Sequence, residues 1–108
     1  MSYQIHITKT AERDLNSALD YIEFVLKNPT AADHLLDVAE KEIFSLSDFP
    51  MSKALVDDPV LKAWGIRFVT VNNYLAFYII ENNTVHIIRF LYGKRDWISI
   101  LKRGYEID

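Results

Sequence analysis

Residues 66–92 read IRFVTVNNYLAFYIIENNTVHIIRFLY, and this stretch decides the fold. β-Branched and aromatic residues dominate three runs within it, Ile66–Val71, Tyr74–Glu81 and Thr84–Tyr92, and this composition favours strands. Asparagine pairs at 72–73 and 82–83 separate the runs. Because asparagine tolerates positive φ, each pair suits a two-residue hairpin turn. The stretch therefore predicts three antiparallel strands joined as a meander.

The beginning of the chain predicts a strand followed by a helix. Residues 3–7 alternate between apolar and polar side chains, which is typical of a short strand. Thr8 or Thr10 can then cap a helix that runs to about Lys27. Its apolar face is formed by residues that recur at steps of three and four, namely Ala11, Leu15, Ala18, Ile22 and Val25.

Asn28-Pro29 ends this first helix and begins a second one. Proline cannot continue a helix but suits the first turn of the next, with Asn28 or Thr30 as the cap. The second helix is predicted over roughly 30–47, and Pro50 closes it. Two helices joined by so short a link should pack as an antiparallel hairpin.

The remaining segments complete the predicted order of elements. Residues 51–63 lack strong periodicity and are interpreted as a loop, while Asp96 to Arg103 can form a last short helix. The layout is β-α-α-β-β-β-α, an α+β fold in which an antiparallel sheet packs against a helical hairpin. A chain of 108 residues is the size of one domain, so residues 1–108 are expected to form a single one.

Composition and charge narrow the classes of function. The chain has no cysteine, so it cannot form disulfides or use a thiolate. The longest apolar run, Tyr74 to Ile80, is far shorter than the ~20 residues of a membrane span, and the N-terminus lacks the pattern of a signal peptide. We therefore expect a cytoplasmic protein that does not contact membranes. The net charge of −3 argues against a general nucleic-acid binder, but residues 64–108 carry 6 basic and 4 acidic side chains and so form the basic part.

Conventional catalytic motifs are missing from the sequence. The three glycines are isolated, so no glycine-rich phosphate loop exists. His6, His34 and His86 lie far apart in the chain and form no HxxxH or HxH pair, so no metal site is expected. Asp57-Asp58 is interpreted as part of a solvated loop. The sequence therefore predicts neither a metal nor a small-molecule cofactor.

Arginines and tyrosines of the C-terminal part are the better candidates for function: Arg67, Arg89, Lys94 and Arg95, with Tyr74, Tyr78 and Tyr92. Strand alternation places Arg67 on the same side as Val69 and Val71. It also places Arg89 with Val85, Ile87 and Leu91, where a charge interrupts an apolar row. Either Arg67 and Arg89 pair with Asp or Glu from the helices, or they face a phosphate or an acidic partner.

Several segments together resemble the RelE/ParE superfamily, the toxin subunits of bacterial toxin–antitoxin pairs. They are Ala11-Glu-Arg-Asp-Leu15, Tyr21-Ile22, Asn28-Pro29-Thr-Ala-Ala32, Phe49-Pro50, Gly65-Ile-Arg67, Asn73-Tyr74-Leu-Ala-Phe-Tyr78 and Arg89-Phe-Leu-Tyr-Gly-Lys-Arg-Asp-Trp97. The resemblance extends from Ile5 to about Leu101 in the same order, and it implies the fold that periodicity predicts.

The resemblance implies one of two activities. RelE-like members cut messenger RNA in the ribosomal A site, whereas ParE-like members poison DNA gyrase without a known nuclease activity. An arginine of the RelE-like nucleases is replaced here by Leu75, and their C-terminal tyrosine falls near Leu101, with Tyr105 out of register. Their turn arginine corresponds to Arg95. The sequence therefore favours a gyrase-binding toxin, and the alternatives are a ribosome-dependent endonuclease or a degenerate, non-toxic member.

The resemblance also implies site residues and a protein partner. A nuclease would use Arg67, Arg89 and Arg95, while binding to a target or an antitoxin would involve Arg67, Arg89, Tyr92, Lys94, Arg95 and Trp97. The partner is a cognate antitoxin whose C-terminal segment folds onto the toxin as it binds. We expect an amphipathic helix or strand along the helical hairpin and the sheet, with carboxylates that pair with Arg67, Arg89 or Arg95.

Overall fold

The helices and strands follow the predicted order, with one additional helix. The computed structural model describes residues 2–108. Its strands are β1 (Gln4–Ile7), β2 (Arg67–Val71), β3 (Tyr74–Glu81) and β4 (Thr84–Tyr92), and its helices are α1 (Lys9–Asp20), α2 (Pro29–Phe44), α3 (Pro59–Ala63) and α4 (Trp97–Lys102). Within residues 2–108, no helix has both the length and the apolar character needed to cross a membrane.

The four strands form one sheet in the order β1-β4-β3-β2. The β2–β3 and β3–β4 pairs are antiparallel, as predicted, and β1 adds to β4 in a parallel orientation. Both asparagine pairs form two-residue turns, because Val71 pairs with Tyr74 and Glu81 pairs with Thr84. The prediction of a meander is therefore confirmed.

Side chains cap the two long helices where the sequence predicts. The Thr8 hydroxyl accepts a hydrogen bond from the Ala11 N–H at 3.2 Å, and the Asn28 side chain accepts one from the Ala31 N–H at 3.1 Å. The helix ends differ in detail from the prediction. The first helix continues beyond α1 as a π-helical turn, Tyr21–Val25, and α2 ends in a 3₁₀ turn, Ser45–Ser47.

The prediction of a loop over residues 51–63 is wrong, because this segment contains α3 and part of a 3₁₀ turn, Pro50–Ser52. Asp58 caps α3, since its carboxylate accepts hydrogen bonds from the N–H groups of Val60 and Leu61, both at 3.1 Å. Pro59 occupies the first position of the helix. This is a start signal that can be recognised in the sequence, but a helix of five residues is too short to show a helical period.

Two apolar clusters fill the two faces of the sheet. α1 and α2 cover one face, where Leu35, Val71, Tyr78 and Ile87 are buried. α3 and α4 cover the other, and its buried residues are Val56, Leu61, Ile66, Phe77, Ile79, Ile88, Leu91 and Leu101. The alternation predicted for β2 is observed: Ile66 and Phe68 belong to the cluster under α3 and α4, and Val69 and Val71 belong to the cluster under the hairpin.

A β-bulge in β4 changes the expected alternation. Phe77 pairs with Arg89 and the adjacent Tyr78 pairs with Ile87, so β4 has one extra residue at this point. An extra residue shifts the phase of the strand, so that residues after it exchange faces relative to those before it. The prediction that Arg89 shares a face with Val85, Ile87 and Leu91 together is therefore wrong. Val85 and Ile87 lie in the hairpin-side cluster, whereas Leu91 lies in the opposite one, as does Phe77, the partner of Arg89 in the register.

Candidate functional site

A groove of about 790 Å³ lies between the end of the helical hairpin and one end of the sheet. α1 and the π-helical turn form one wall, to which Asp14 and Tyr21 contribute. β3 and β4 form the other wall with Tyr74 and Tyr92, and the turn after β4 adds Arg95. The groove thus combines apolar surface, tyrosine hydroxyls and one basic side chain.

Aromatic contacts hold the sheet wall of the groove. Tyr74 stacks on Phe90 with ring centroids 5.1 Å apart, and it meets Tyr92 edge-on at 5.5 Å. Burial raises the pKa of the Tyr74 hydroxyl, and the neighbouring Tyr92 and Tyr21 raise it further. A phenol with a raised pKa stays protonated near neutral pH, so Tyr74 can donate a hydrogen bond to a bound group but is not poised as a base.

The helical wall ends in an exposed apolar rim. Tyr21, Phe24, Val25 and Leu26 are all more than half exposed, and Phe24 reaches 67%. They lie on or directly after the π-helical turn, and Lys27 then adopts a positive φ of 54°. π-Helical turns are frequent at functional sites, and apolar rims beside polar groups are typical of protein interaction surfaces.

Asp14 joins the groove to Arg89. Its carboxylate accepts hydrogen bonds from Arg89 Nε at 2.7 Å, from Arg89 Nη2 at 3.0 Å and from the Phe90 N–H at 3.0 Å. Asp14 lines the groove, while Arg89 lies behind it at the bulge. The interpretation that Arg89 pairs with a helix carboxylate is confirmed, and this arginine positions α1 against β4.

Arg67 lies at a distance from the groove, near the other end of β2. Its Nη1 donates hydrogen bonds to the carbonyls of Met51 at 3.2 Å and Lys53 at 2.6 Å. The hydroxyl of Tyr78 donates to the Pro50 carbonyl at 2.6 Å in the same turn. The interpretation that Arg67 pairs with a helix carboxylate is wrong, because backbone carbonyls of the 50–53 turn accept its hydrogen bonds.

The turn after β4 presents the basic residues Lys94 and Arg95, which are both exposed. The Gly93 N–H donates to the Asn73 carbonyl at 2.8 Å, so this turn is tied to the β2–β3 turn. A side chain at Gly93 would bring its Cβ within 3.2 Å of that carbonyl. Close approach of the two turns places Arg95 at the groove.

Trp97 differs from the other predicted binding residues, because its ring packs against the apolar cluster on the α4 face. It lies 5.3 Å from the ring of Phe77 and is half-buried in the cluster on the α4 face. The structure thus brings Tyr92 and Arg95 to the groove, with Arg89 behind Asp14, and leaves Arg67 and Trp97 elsewhere. Asp14 and Tyr21 are groove residues that the sequence analysis missed. Two features of the sequence point to Asp14. Arg89 needs a partner for its charge, and Asp14 lies beside the apolar face of α1.

No group of three or more His, Cys, Asp or Glu side chains that could hold a metal ion occurs within residues 2–108. The described groove residues supply tyrosine hydroxyls, aromatic faces, the Asp14 carboxylate that Arg89 holds and the Arg95 guanidinium. Such a set suits the binding of a peptide or protein surface.

The sequence model of a protein family described as the ParE toxin of the type II toxin–antitoxin system, parDE, matches residues 5–97. The chain belongs to the ParE toxin family. The matched segment covers both long helices and all four strands except Gln4, the first residue of β1, and it includes the groove residues from Asp14 to Arg95. No curated protein sequence matches this ParE-family chain.

Two solved structures share the fold of this ParE-family chain. One is from the chromosomal ParDE toxin–antitoxin system of P. aeruginosa, with a TM-score of 0.71 and 18% identity over 86% of this chain and 98% of the other. The second is from the RelBE2 toxin–antitoxin complex of Mycobacterium tuberculosis, with a TM-score of 0.60 and 23% identity over 85% and 99% of the two chains. These similarities confirm the predicted RelE/ParE fold.

Proposed function

We propose that this ParE-family toxin arrests growth by binding DNA gyrase and that a cognate antitoxin neutralises it. One observation carries the choice of gyrase over messenger RNA cleavage. The carboxylate in the groove, Asp14, is held by Arg89, and burial keeps the Tyr74 hydroxyl protonated. General acid–base catalysis needs a group that is free to take up a proton. The Asp14 oxygens already accept hydrogen bonds from Arg89 and the Phe90 N–H, and the raised pKa of Tyr74 makes its hydroxyl unsuited to act as a base. A binding surface needs no such group.

The charge of the protein supports the same choice. Its net charge is −3, and residues 1–63 carry 11 acidic against 6 basic side chains. A nuclease that docks in the ribosome meets dense phosphate, and repulsion from an acidic surface weakens that docking. Lys94 and Arg95 supply a small basic area instead. An area of this size suits contact with a few acidic side chains or phosphates.

The groove supports an antitoxin as the partner. The P. aeruginosa and M. tuberculosis relatives come from toxin–antitoxin systems. In this chain the exposed rim around Phe24 and Leu26 fits the apolar side of an amphipathic segment, and Arg95 fits a carboxylate on its polar side. Binding there would cover the apolar rim and the basic turn together.

A supercoiling assay with purified gyrase tests the target. We expect the purified toxin to stop supercoiling of relaxed plasmid and to trap cleaved DNA on gyrase. Arg95→Ala should weaken inhibition about tenfold or more, because one charged contact at an interface is worth about 1.5–3 kcal/mol. Lys62→Ala, which removes an exposed lysine from α3 outside the groove, is the matched control and should inhibit like the parent.

Full supercoiling activity at toxin concentrations that arrest cell growth would refute gyrase as the target. A translation reaction with intact messenger RNA, run beside it, identifies the alternative. Cleavage of messenger RNA only in the presence of ribosomes, lost in Arg95→Ala, would establish the RelE-like nuclease instead.

A further inference from the structure

Two histidines face each other across the parallel strand pair at the edge of the sheet. His6 of β1 and His86 of β4 are partners in the register, and their Nδ1 atoms lie 2.8 Å apart. The rings are nearly perpendicular, with an interplanar angle of 89°, and both side chains are half-buried. Strand alternation places the pair on the sheet face opposite the helical hairpin, since Ile5, Ile7, Val85 and Ile87 point to the hairpin side.

The short Nδ1–Nδ1 contact fixes the number of protons that the pair can hold. It is a hydrogen bond only when one of the two Nδ1 atoms carries a hydrogen and the other does not. One added proton is tolerated, since a cationic ring can still donate to its neutral partner. A second added proton places hydrogens on both Nδ1 atoms, which then oppose each other at 2.8 Å.

β1 is the element that this opposition would displace. It has only four residues and lies at the edge of the sheet, paired with β4 alone. The chain leaves β1 directly into Thr8, whose N–H donates to the Ile87 carbonyl and whose hydroxyl caps α1. Release of β1 would therefore also loosen the start of α1, the helix that carries Asp14 and one wall of the groove.

We propose that the His6–His86 pair is a proton-operated latch: double protonation in mild acid breaks the contact and releases β1 from β4. This inference goes beyond the proposed function and does not depend on which target the toxin binds. A consequence is that the groove is fully formed only where at least one of the two imidazoles is neutral.

The charged groups around the pair set the pH range of the latch. Burial is the main factor that lowers the pKa of His86 from its ordinary value of 6.5, and the His6 charge lowers it further, while Glu81 at the end of β3 opposes both. Asp108 of the C-terminal segment faces His6 and Lys9 of α1, and Tyr105 lies near Glu81. The carboxylates of Glu81, near His86, and Asp108, near His6, each offset part of the repulsion between the two imidazolium rings.

The sign of the pH effect follows from linkage. A group whose pKa is lowered in the folded state binds its proton more weakly there than in the released strand. Closure of β1 is therefore fully stable above a pH of about 6.5 and weakens as the pH falls below it. One extra proton on the open form raises the opening equilibrium by up to about tenfold per pH unit.

Amide hydrogen exchange followed by NMR tests the latch, with a chelator present because paired imidazoles also bind metals. The amides of Gln4 and Thr8, which donate to β4 and its preceding turn, report the opening of β1. After correction for the intrinsic exchange rate, we expect their opening to rise about tenfold or more between pH 7 and pH 5. Amides of the central strand β3 should keep their protection.

Variants separate the latch from general acid sensitivity. In His86→Asn the opening of β1 should become independent of pH over this range, whereas His34→Asn, which removes the exposed histidine of α2, should behave like the parent. His6→Asn is the second latch variant in case His86→Asn does not fold. The proposal would be overturned if the opening of β1 did not depend on pH in the parent, or if it still depended on pH in either latch variant.

A measurement on the parent protein checks the pair without any substitution. Imidazole ¹⁵N shifts near neutral pH should show one ring with a hydrogen on Nδ1 and the other with its hydrogen on Nε2. Two rings that both carry hydrogen on Nε2 would contradict the shared hydrogen bond, and the latch with it.

Discussion

Asp14 and Arg89 form the ion pair that ties α1 to the bulge of β4. Their side chains are only 13% and 22% exposed, and the carboxylate also accepts the Phe90 N–H. The Asp14 carboxylate thus accepts three hydrogen bonds, two from Arg89 and one from the Phe90 N–H, so the contact is a small half-buried network and not a simple surface ion pair. At this depth the loss of one partner leaves the other charge buried and poorly hydrated, so single substitutions cost more than the pair itself contributes.

Asp14→Ala is therefore expected to destabilise the fold by about 2–3 kcal/mol, because it leaves a half-buried guanidinium and an unpaired N–H. Chemical denaturation of the purified protein measures the loss. Asp20→Ala, at an exposed position of the same helix, should change the free energy of unfolding by less than about 0.5 kcal/mol. Adding Arg89→Met to Asp14→Ala should restore part of the stability; a double variant less stable than Asp14→Ala alone would argue against the buried-charge explanation.

At the scale of elements, the two hairpin turns have the same residue types but different backbones. Asn82 and Asn83 both have positive φ, at 50° and 62°, whereas in the other turn Asn72 has a φ of 53° and Asn73 does not have a positive value. Positive φ at both central residues is the pattern in which glycine is preferred at the second. The same substitution should therefore act differently in the two turns.

Asn83→Gly is expected to raise stability by about 0.5 kcal/mol, since glycine adopts positive φ without steric cost. Asn73→Gly serves as its counterpart, and it should be neutral or destabilising by up to about 1 kcal/mol because it only adds backbone freedom to the unfolded chain. Thermal unfolding followed by circular dichroism compares them. Equal shifts in the two variants would show that the φ values do not control these turns.

The elements also show why part of the fold could be predicted and part could not. Helix caps and asparagine turns act over three or four residues, so Thr8, Asn28 and the two turns can be recognised locally. The bulge cannot, because Ile87 and Ile88 are both apolar and a continuous apolar run conceals a change of phase. The partners of Arg67 could not be predicted for a related reason: they are backbone carbonyls, and these leave no signal in the sequence.

At the scale of the whole molecule, exposed apolar residues gather at two places with different surroundings. Tyr21 and Leu26 line the groove, and the exposed Phe24 lies between them in the chain, on the π-helical turn. Phe49, which is 82% exposed, lies elsewhere, next to the turn that Arg67 and Tyr78 hold. The groove could not be assembled from the sequence, because α1, β3 and β4 are far apart in the chain and their packing decides which side chains meet. Phe24 and Phe49 thus provide matched probes for the antitoxin.

Cognate antitoxin in hundredfold excess over its Kd should stabilise the toxin by about 2.7 kcal/mol and raise its Tm by about 10 °C. Phe24→Asp should weaken antitoxin binding about tenfold or more. It places a carboxylate in the apolar contact, and this carboxylate is repelled by the carboxylates of the partner. Phe49→Asp makes the same change outside the groove and should bind like the parent. Calorimetric titration of the three proteins measures the difference. If Phe49→Asp lost binding and Phe24→Asp kept it, the antitoxin would dock on the face next to the 50–53 turn, and the groove would be left to the toxin's target.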